Sequence, residues 1–87
     1  MKQKRVTTRF LRALGAFLVK HPEDEKRIEK IMNQIVVGKY AGLHIHPLHG
    51  PLKGLSAARI SQQYRLVFVQ EPQAIIFIGI GSHDEVY

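Results

Sequence analysis

The sequence predicts one small α+β domain over residues 1–87, with an N-terminal strand, an α-helical hairpin and then a three-stranded antiparallel run that completes one small sheet. Two segments in the N-terminal half place apolar residues at helical spacing. The C-terminal half carries apolar runs rich in β-branched and aromatic residues, separated by short polar turns. A chain of 87 residues has room for a single hydrophobic core, so we expect no second domain.

The first predicted elements are a short strand and an amphipathic helix. We predict the strand over residues 5–8, and Thr7 or Thr8 offers a side-chain oxygen that can cap the helix. The helix should end near His21, because Pro22 disfavours helical backbone in the residue before it. The apolar positions of this helix share one face: Phe10, Leu11, Leu14, Phe17 and Leu18.

A second helix is predicted directly after the first. Pro22 suits its first turn, and acidic residues follow where the helix dipole favours negative charge. Gly38 suits a left-handed C-terminal cap. Two helices joined by a tight link form an αα-hairpin. The apolar positions of the second helix are Ile28, Ile31, Met32, Ile35 and Val36.

The rest of the chain is predicted to be a loop followed by strands. Residues 41–56 are rich in glycine, proline and histidine, with a short extended piece at residues 43–46. Positions 74–78 are all apolar, which is typical of an interior strand covered on both faces. The predicted strands are residues 57–61, 64–70 and 74–80, with turns at residues 62–63 and 71–73.

The composition excludes several classes of protein. The chain has no cysteine, so disulfides, thiolate metal sites and cysteine catalysis are excluded. Small secreted domains usually depend on disulfides, and we therefore expect a cytoplasmic location. No apolar run approaches the roughly 20 residues that a membrane-spanning helix needs. The basic N-terminus is not followed by the apolar segment of a signal peptide, so we expect no membrane partner.

The positive charge is segregated along the chain. The formal net charge is +6, and no acidic residue occurs in residues 1–22 or in residues 30–70. Such separation indicates one cationic surface, whose natural ligands are phosphate backbones or an acidic protein partner. The alternative is charge that serves only solubility.

One arginine stands inside a predicted strand. Strand alternation puts Arg65 on the face opposite Tyr64, Leu66 and Phe68. If those apolar residues meet the helices, Arg65 lies on the other face of the sheet, where Arg59 of the preceding strand is a further candidate. The alternative is a structural arginine paired with a carboxylate such as Glu85 or the chain terminus.

The loop histidines are the candidates for a metal site. In the pattern His44-x-His46-x-x-His49, the first two would share a strand face and the third could reach around. No carboxylate lies nearby in sequence to complete the ligand set. We therefore expect no metal and no other cofactor.

The C-terminal segment carries several groups that can transfer protons. After Gly79 and Gly81 the chain presents a histidine, two acids and a tyrosine. The alternative is a polar surface tail without a chemical role. These residues are His83, Asp84, Glu85 and Tyr87.

Several short motifs, in order along nearly the whole chain, resemble one known family. They are His46-Pro47-Leu48, Leu52-Lys53-Gly54-Leu55, Arg59-Ile60, Tyr64-Arg65-Leu66-Val67-Phe68 and Gly79-x-Gly81-x-His83-Asp84-Glu85-Val86-Tyr87. Together they resemble the RelE/ParE superfamily, the toxins of bacterial type II toxin–antitoxin pairs. The order of elements in that fold is also the order predicted above.

The resemblance implies roles for particular residues in the RNA-cutting branch of this family. Arg65 matches the strand arginine that stabilises the phosphate undergoing cleavage. His83 matches the proton-transfer histidine of YafQ-like members, and Tyr87 matches the late tyrosine of RelE. His46 or His49 resembles the loop histidine of YafQ-like members.

The resemblance also implies partners. They are a cognate antitoxin, mRNA and the ribosome, with Lys53 and Arg59 holding flanking phosphates. Many RelE-like tails carry Lys or Arg after the second glycine, where this chain has Ser82, and this departure favours a mechanism centred on His83. Two alternatives remain open: a ParE-like toxin that inhibits gyrase without RNA chemistry, and a catalytically silent member that only binds antitoxin or RNA.

Overall fold

The computed structural model describes residues 2–82. The predictions that concern His83, Glu85 and Tyr87 therefore lie outside the described residues. Two α-helices and a five-stranded sheet make up the fold. In chain order the elements are β1 (Gln3–Val6), α1 (Thr8–Lys20), a 3-10 turn (Pro22–Asp24), α2 (Glu25–Val36), β2 (His46–Pro47), a second 3-10 turn (Gly50–Leu52), β3 (Ser56–Arg59), β4 (Tyr64–Gln70) and β5 (Ala74–Ser82).

Helix α1 begins and ends where its sequence predicts. Thr7 caps the helix, since its hydroxyl oxygen accepts a hydrogen bond from the Phe10 backbone N–H at 3.0 Å. His21 is the C-cap, directly before Pro22. Because Thr7 caps the helix in extended backbone, β1 ends at Val6, two residues earlier than predicted.

The second helix has a 3-10 turn before it and a glycine cap after it. Pro22 opens the 3-10 turn rather than the α-helix itself, and α2 begins at Glu25. At the other end Gly38 has a φ of 80°, as a left-handed cap requires. Its N–H donates to Ile35 O, and the N–H of Lys39 donates to Gln34 O, which together form a Schellman motif.

The sheet has five strands in the order β1-β5-β4-β3-β2, whereas the sequence predicted the N-terminal strand and three others. The extra strand is β2, which pairs His46 with Ala57 along the outer edge of β3. It was missed as a strand because two residues, one of them a proline, are too short to show periodicity. β1 runs parallel to β5. The helical hairpin carries the chain from β1 at one edge of the sheet to β2 at the other edge, and β3 and β4 lead back to β5 beside β1.

One face of the sheet packs on the helices and forms the main core. Phe10 of α1 lies 5.9 Å from Phe77 of β5 and Phe77 lies 6.1 Å from Phe68 of β4, measured between ring centroids. All three side chains are fully buried. From α2, the core contains Ile28, Ile31, Met32, Ile35 and Val36, as the helical spacing predicted.

A smaller apolar cluster covers part of the opposite face. Leu48, Ala57 and Val67 form its buried centre, and the partly buried side chains around it are Leu52, Leu55 and Ile78. β5 is interior in the strand order, as its apolar run predicted, and this cluster gives its second face partial cover. Neither helix in residues 2–82 is long and apolar enough to cross a membrane.

Candidate functional site

The sheet face away from the helices carries a row of the candidate side chains. Leu66 and Phe68 belong to the helix-side core, so alternation along β4 puts Arg65 and Val67 on the opposite face. Arg65 stands directly opposite Arg59 on β3 and directly opposite Gly81 on β5. We call this face of the sheet, which carries Arg59 and Arg65, the arginine face.

The two arginines face each other as a like-charged pair. Directly opposed like charges destabilise a sheet by about 0.2–1 kcal/mol. Within residues 2–82 the recorded ion pair is His21 with Glu23, so neither arginine is matched there by a carboxylate. The structural alternative from the sequence, a pairing of Arg65 with Glu85, lies outside the described residues. The arrangement is suited to an anionic ligand that contacts both guanidinium groups.

The guanidinium of Arg65 is anchored along one side. Its Nη1 donates to the backbone oxygens of Ser61 at 2.8 Å, Gln62 at 3.2 Å and Tyr64 at 3.1 Å, which lie around the turn between β3 and β4. Within the described part of the chain, Nε and Nη2 make no hydrogen bond. An arginine held in this way keeps a planar edge for bidentate recognition of a phosphate.

A groove of about 330 Å³ lies on the same face of the sheet. Val67 and Gly79, each two residues from the arginine row, line it, and Arg9 of α1 lies at its border. Gly79 places no side chain in the groove. A Cβ at this position would lie 3.8 Å from Val67 Cβ, which is an ordinary contact distance. The wall on the loop side consists of Leu48, Leu52 and Leu55.

Two of these features were missed in the sequence. Arg9 was not distinguished from the other basic residues of the acid-free segment 1–22, although the Thr7 cap fixes where the first turn of α1 begins. The three leucines were placed in an irregular loop. Their spacing of four and three residues inside a glycine- and proline-rich segment is the signal that could have predicted a packed wall.

The loop candidates lie at different distances from the arginines. His46 pairs with Ala57 and therefore shares the arginine face, with a Cα roughly 12 Å from that of Arg65 by strand geometry. His46 Nδ1 lies 3.1 Å from His44 O, so the ring is held by the loop backbone.

His49 and Lys53 bracket the second 3-10 turn at its two ends, and both are exposed. No hydrogen bond or ion pair joins either of them to an arginine within residues 2–82. The structure thus brings Arg59, Arg65 and His46 to one sheet face and leaves His49 and Lys53 on the adjoining loop.

The proposed C-terminal residues follow directly from the arginine row. Gly81 faces Arg65 across the β4–β5 pair and Ser82 faces Tyr64, so the backbone of β5 runs beside the Arg65 position of β4. β4 and β5 are antiparallel hairpin neighbours, as the short turn between them predicted. His83 and Tyr87, the proton-transfer candidates, lie outside the described residues.

The three loop histidines do not come together as a group of potential metal ligands in the described part of the chain. In residues 2–82, the group whose ligand atoms all lie within 4.8 Å of one another consists of His21, Glu23 and Asp24, where α1 ends and α2 begins. None of the three loop histidines belongs to it.

Comparison with known proteins assigns the fold. Neither a family model nor a curated protein matches the chain. Among solved structures, YafQ in the E. coli DinJ-YafQ toxin-antitoxin complex has a TM-score of 0.83 at 17% identity, covering 99% of this chain and 97% of that one. A metal-bound toxin from Helicobacter pylori has a TM-score of 0.84 at 25% sequence identity, and the match covers 100% of both chains. The YoeB/ParE toxin from Agrobacterium tumefaciens has a TM-score of 0.77 at 19% sequence identity, covering 93% of this chain and 98% of that one. The chain has the fold of the RelE/ParE toxin superfamily, as its motifs predicted.

Proposed function

We propose that this protein is the toxin of a toxin–antitoxin pair and that it cleaves mRNA on the ribosome, without a metal ion. The observation that carries the proposal is the opposed Arg59 and Arg65 pair beside a groove on the arginine face. The pair costs stability in the free protein and becomes favourable when a phosphate contacts both guanidinium groups.

The chemistry that suits this face is attack by the RNA 2′-OH on its own neighbouring phosphate. The reaction needs a base for the 2′-OH, cationic donors for the charged transition state and an acid for the departing 5′-oxygen. Arg65 supplies the cationic donor with its unanchored edge. Arg59 and Lys53 hold flanking phosphates, and Arg9 at the groove border extends the same positive surface.

Histidine is suited to the proton transfers, because the ordinary pKa of imidazole lies near neutrality. We assign one proton transfer to His83, with Tyr87 as the alternative group. His46 or His49 supplies the complementary transfer. Support comes from the position of Gly81, which faces Arg65 only two residues before His83.

An antitoxin is the second proposed partner. A groove of about 290 Å³ runs along β1 and both helices. Val6 and Leu11 on its wall are exposed at 39% and 54%, and charged side chains lie around this apolar lining. A contiguous apolar patch with a polar rim is typical of a surface that binds another protein. The solved complex of DinJ with YafQ, a protein of the same fold, is a toxin–antitoxin pair. We propose that the antitoxin covers this groove and also wraps the basic surface.

Growth arrest followed by RNA mapping tests the proposal. Expression should stop growth, and translating extracts should show new mRNA ends that are absent with Arg65→Ala. Intact mRNA together with damaged DNA would instead establish the gyrase-inhibiting alternative. Normal growth and intact mRNA, with antitoxin still bound, would establish a silent member of the family.

A further inference from the structure

A cluster of potential metal ligands lies at the link between the two helices, on the other side of the sheet from the arginine face. His21 Nδ1 is 3.9 Å from Glu23 Oε1, and the ligand atoms of His21, Glu23 and Asp24 all lie within 4.8 Å of one another. We propose that these three side chains bind a divalent transition-metal ion of the zinc class, which joins the end of α1 to the start of α2.

His21 is held in place by aromatic packing. Its ring stacks on Phe17 with centroids 4.5 Å apart and 29° between the planes, and it lies 4.9 Å from the ring of Tyr64. The side chain is 27% exposed. A ligand whose ring is already ordered loses little conformational entropy when a metal binds, which favours affinity.

The two carboxylates are not committed elsewhere in the described part of the chain. Asp24 is the N-cap of α2, a position where Asp usually accepts a backbone N–H bond, yet its side chain makes no cap hydrogen bond. The chain has 13 Lys and Arg, but the ion pair recorded in residues 2–82 joins Glu23 to a histidine. One oxygen of each carboxylate lies within 4.8 Å of a ring nitrogen of His21.

The carboxylates of the link counteract the positive end of helix α2. The N-terminus of α2 carries about half an elementary positive charge, which opposes a cation. Glu23 and Asp24 bring two full negative charges, and Glu25 adds a third in the next position. Lys20, Lys26 and Arg27 flank these acids, so residues 20–27 carry three acidic and three basic side chains. What favours a cation here is the position of two carboxylates within 4.8 Å of a ring nitrogen of His21.

The ligand set and its spacing select the class of metal. One imidazole nitrogen with carboxylate oxygens suits zinc and neighbouring transition metals, whereas magnesium and calcium prefer oxygen alone. Zinc bonds of roughly 2.0–2.2 Å in a tetrahedron put ligand atoms about 3.4 Å apart. The His21–Glu23 distance is already close to this value, and Glu23 is 69% exposed, so its side chain can close the remaining gap. Water completes the fourth position.

Calorimetric titration of the full chain with zinc chloride tests the site. The wild type should bind one zinc ion, and Glu23→Gln and Asp24→Asn should each weaken binding by at least about tenfold, the loss that even indirect partners of a metal ligand can cause. These two changes leave the stacked rings intact, so folding is preserved. His21→Gln should abolish the binding.

Three matched variants test whether zinc binds at His21, Glu23 and Asp24 rather than at another group of side chains. Glu25→Gln removes one charge from the same helix end, and His44→Asn removes a loop histidine with a residue that tolerates its φ of 51°. His83→Gln tests the C-terminal segment. All three variants keep His21, Glu23 and Asp24, so they should bind zinc within about threefold of wild type.

Equal weakening by Glu25→Gln and Glu23→Gln would overturn the proposal, because the effect would then be general charge. Zinc binding that survives His21→Gln and disappears with His44→Asn or His83→Gln would overturn it by placing the ion elsewhere. Failure of the wild type to bind zinc would also overturn it. Because the readout is binding, these results are independent of whether the protein cleaves RNA.

Discussion

Replacing Arg65 by alanine should lower stability and activity together, for two separable reasons. The change removes the bonds from Nη1 to the oxygens of Ser61, Gln62 and Tyr64. Hydrogen bonds from a charged donor contribute about 1.5–3 kcal/mol, and partial exposure puts this one near the lower end. Loss of the repulsion between Arg59 and Arg65 offsets about 0.5 kcal/mol of this destabilisation. The expected net loss is about 1 kcal/mol, or about 4–8 °C in Tm for a domain of this size.

Arg59→Ala is the matched control. It relieves the same repulsion, but its side chain makes no recorded hydrogen bond in residues 2–82, so its Tm should stay within a few degrees of wild type or rise slightly. Thermal unfolding followed by circular dichroism measures both variants. If Arg65→Ala melts at or above the wild-type temperature, or if Arg59→Ala is destabilised as much, the anchoring role of Arg65 is wrong.

The same variants test the proposed catalytic role of Arg65. Removal of transition-state charge stabilisation should lower the rate of RNA cleavage by about 10²–10³-fold in Arg65→Ala. Arg65→Lys should recover little, because an ammonium cannot hold the turn and also donate two parallel bonds to a phosphate. Arg59→Ala should mainly raise KM, as expected for a residue that binds substrate and transition state alike. Cleavage by Arg65→Ala at the wild-type rate would refute the proposed mechanism.

The other predictions concern the proton donor, the metal, the helix cap and the antitoxin surface. His83→Gln should lower RNA cleavage by about 10²–10⁴-fold; if it leaves the same cuts in mapped mRNA, Tyr87 becomes the leading candidate. A chelator should leave RNA cleavage intact, and loss of cleavage that zinc restores would contradict the metal-free mechanism. Gly38→Ala should destabilise by about 1–2 kcal/mol because of its positive φ, whereas Gly15→Ala, in open space within α1, should stabilise by about 0.5–1 kcal/mol in denaturant unfolding. Leu11→Glu should weaken capture of the co-encoded antitoxin without changing RNA cleavage, and unchanged capture would place the antitoxin on another surface.

The local signals in the sequence predicted the helices and β4 well. β4 has the predicted bounds, α1 ends at Lys20 with His21 as its C-cap directly before Pro22, and Gly38 has the predicted left-handed backbone. The two helix ends depend on interactions within a few residues, namely the steric effect of proline and a glycine cap. Alternation along β4 likewise predicted that Arg65 lies away from the helices.

The bounds of β1 and β5 were predicted less well. β1 is displaced by two residues toward the N-terminus, and β5 continues to Ser82, past the predicted end at residue 80. Strand ends depend on the partner strand. Beyond Phe77, β5 pairs with β4 alone, since Val6 is the last residue of β1 to find a partner there.

The sequence by itself determined the element types, the segregation of charge and the residue types available for phosphate chemistry, because these follow from spacing and composition. Only the tertiary structure decided that Arg59 and Arg65 face each other, that β2 extends the sheet and that Leu48, Leu52 and Leu55 wall a groove beside Arg9. The pairing of β2 and the leucine wall depend on packing between residues far apart in sequence. The Arg59–Arg65 pair depends on the register of the β3–β4 hairpin, which is set by the geometry of its turn together with the burial of one whole face. The spacing of residues along one strand does not specify that register.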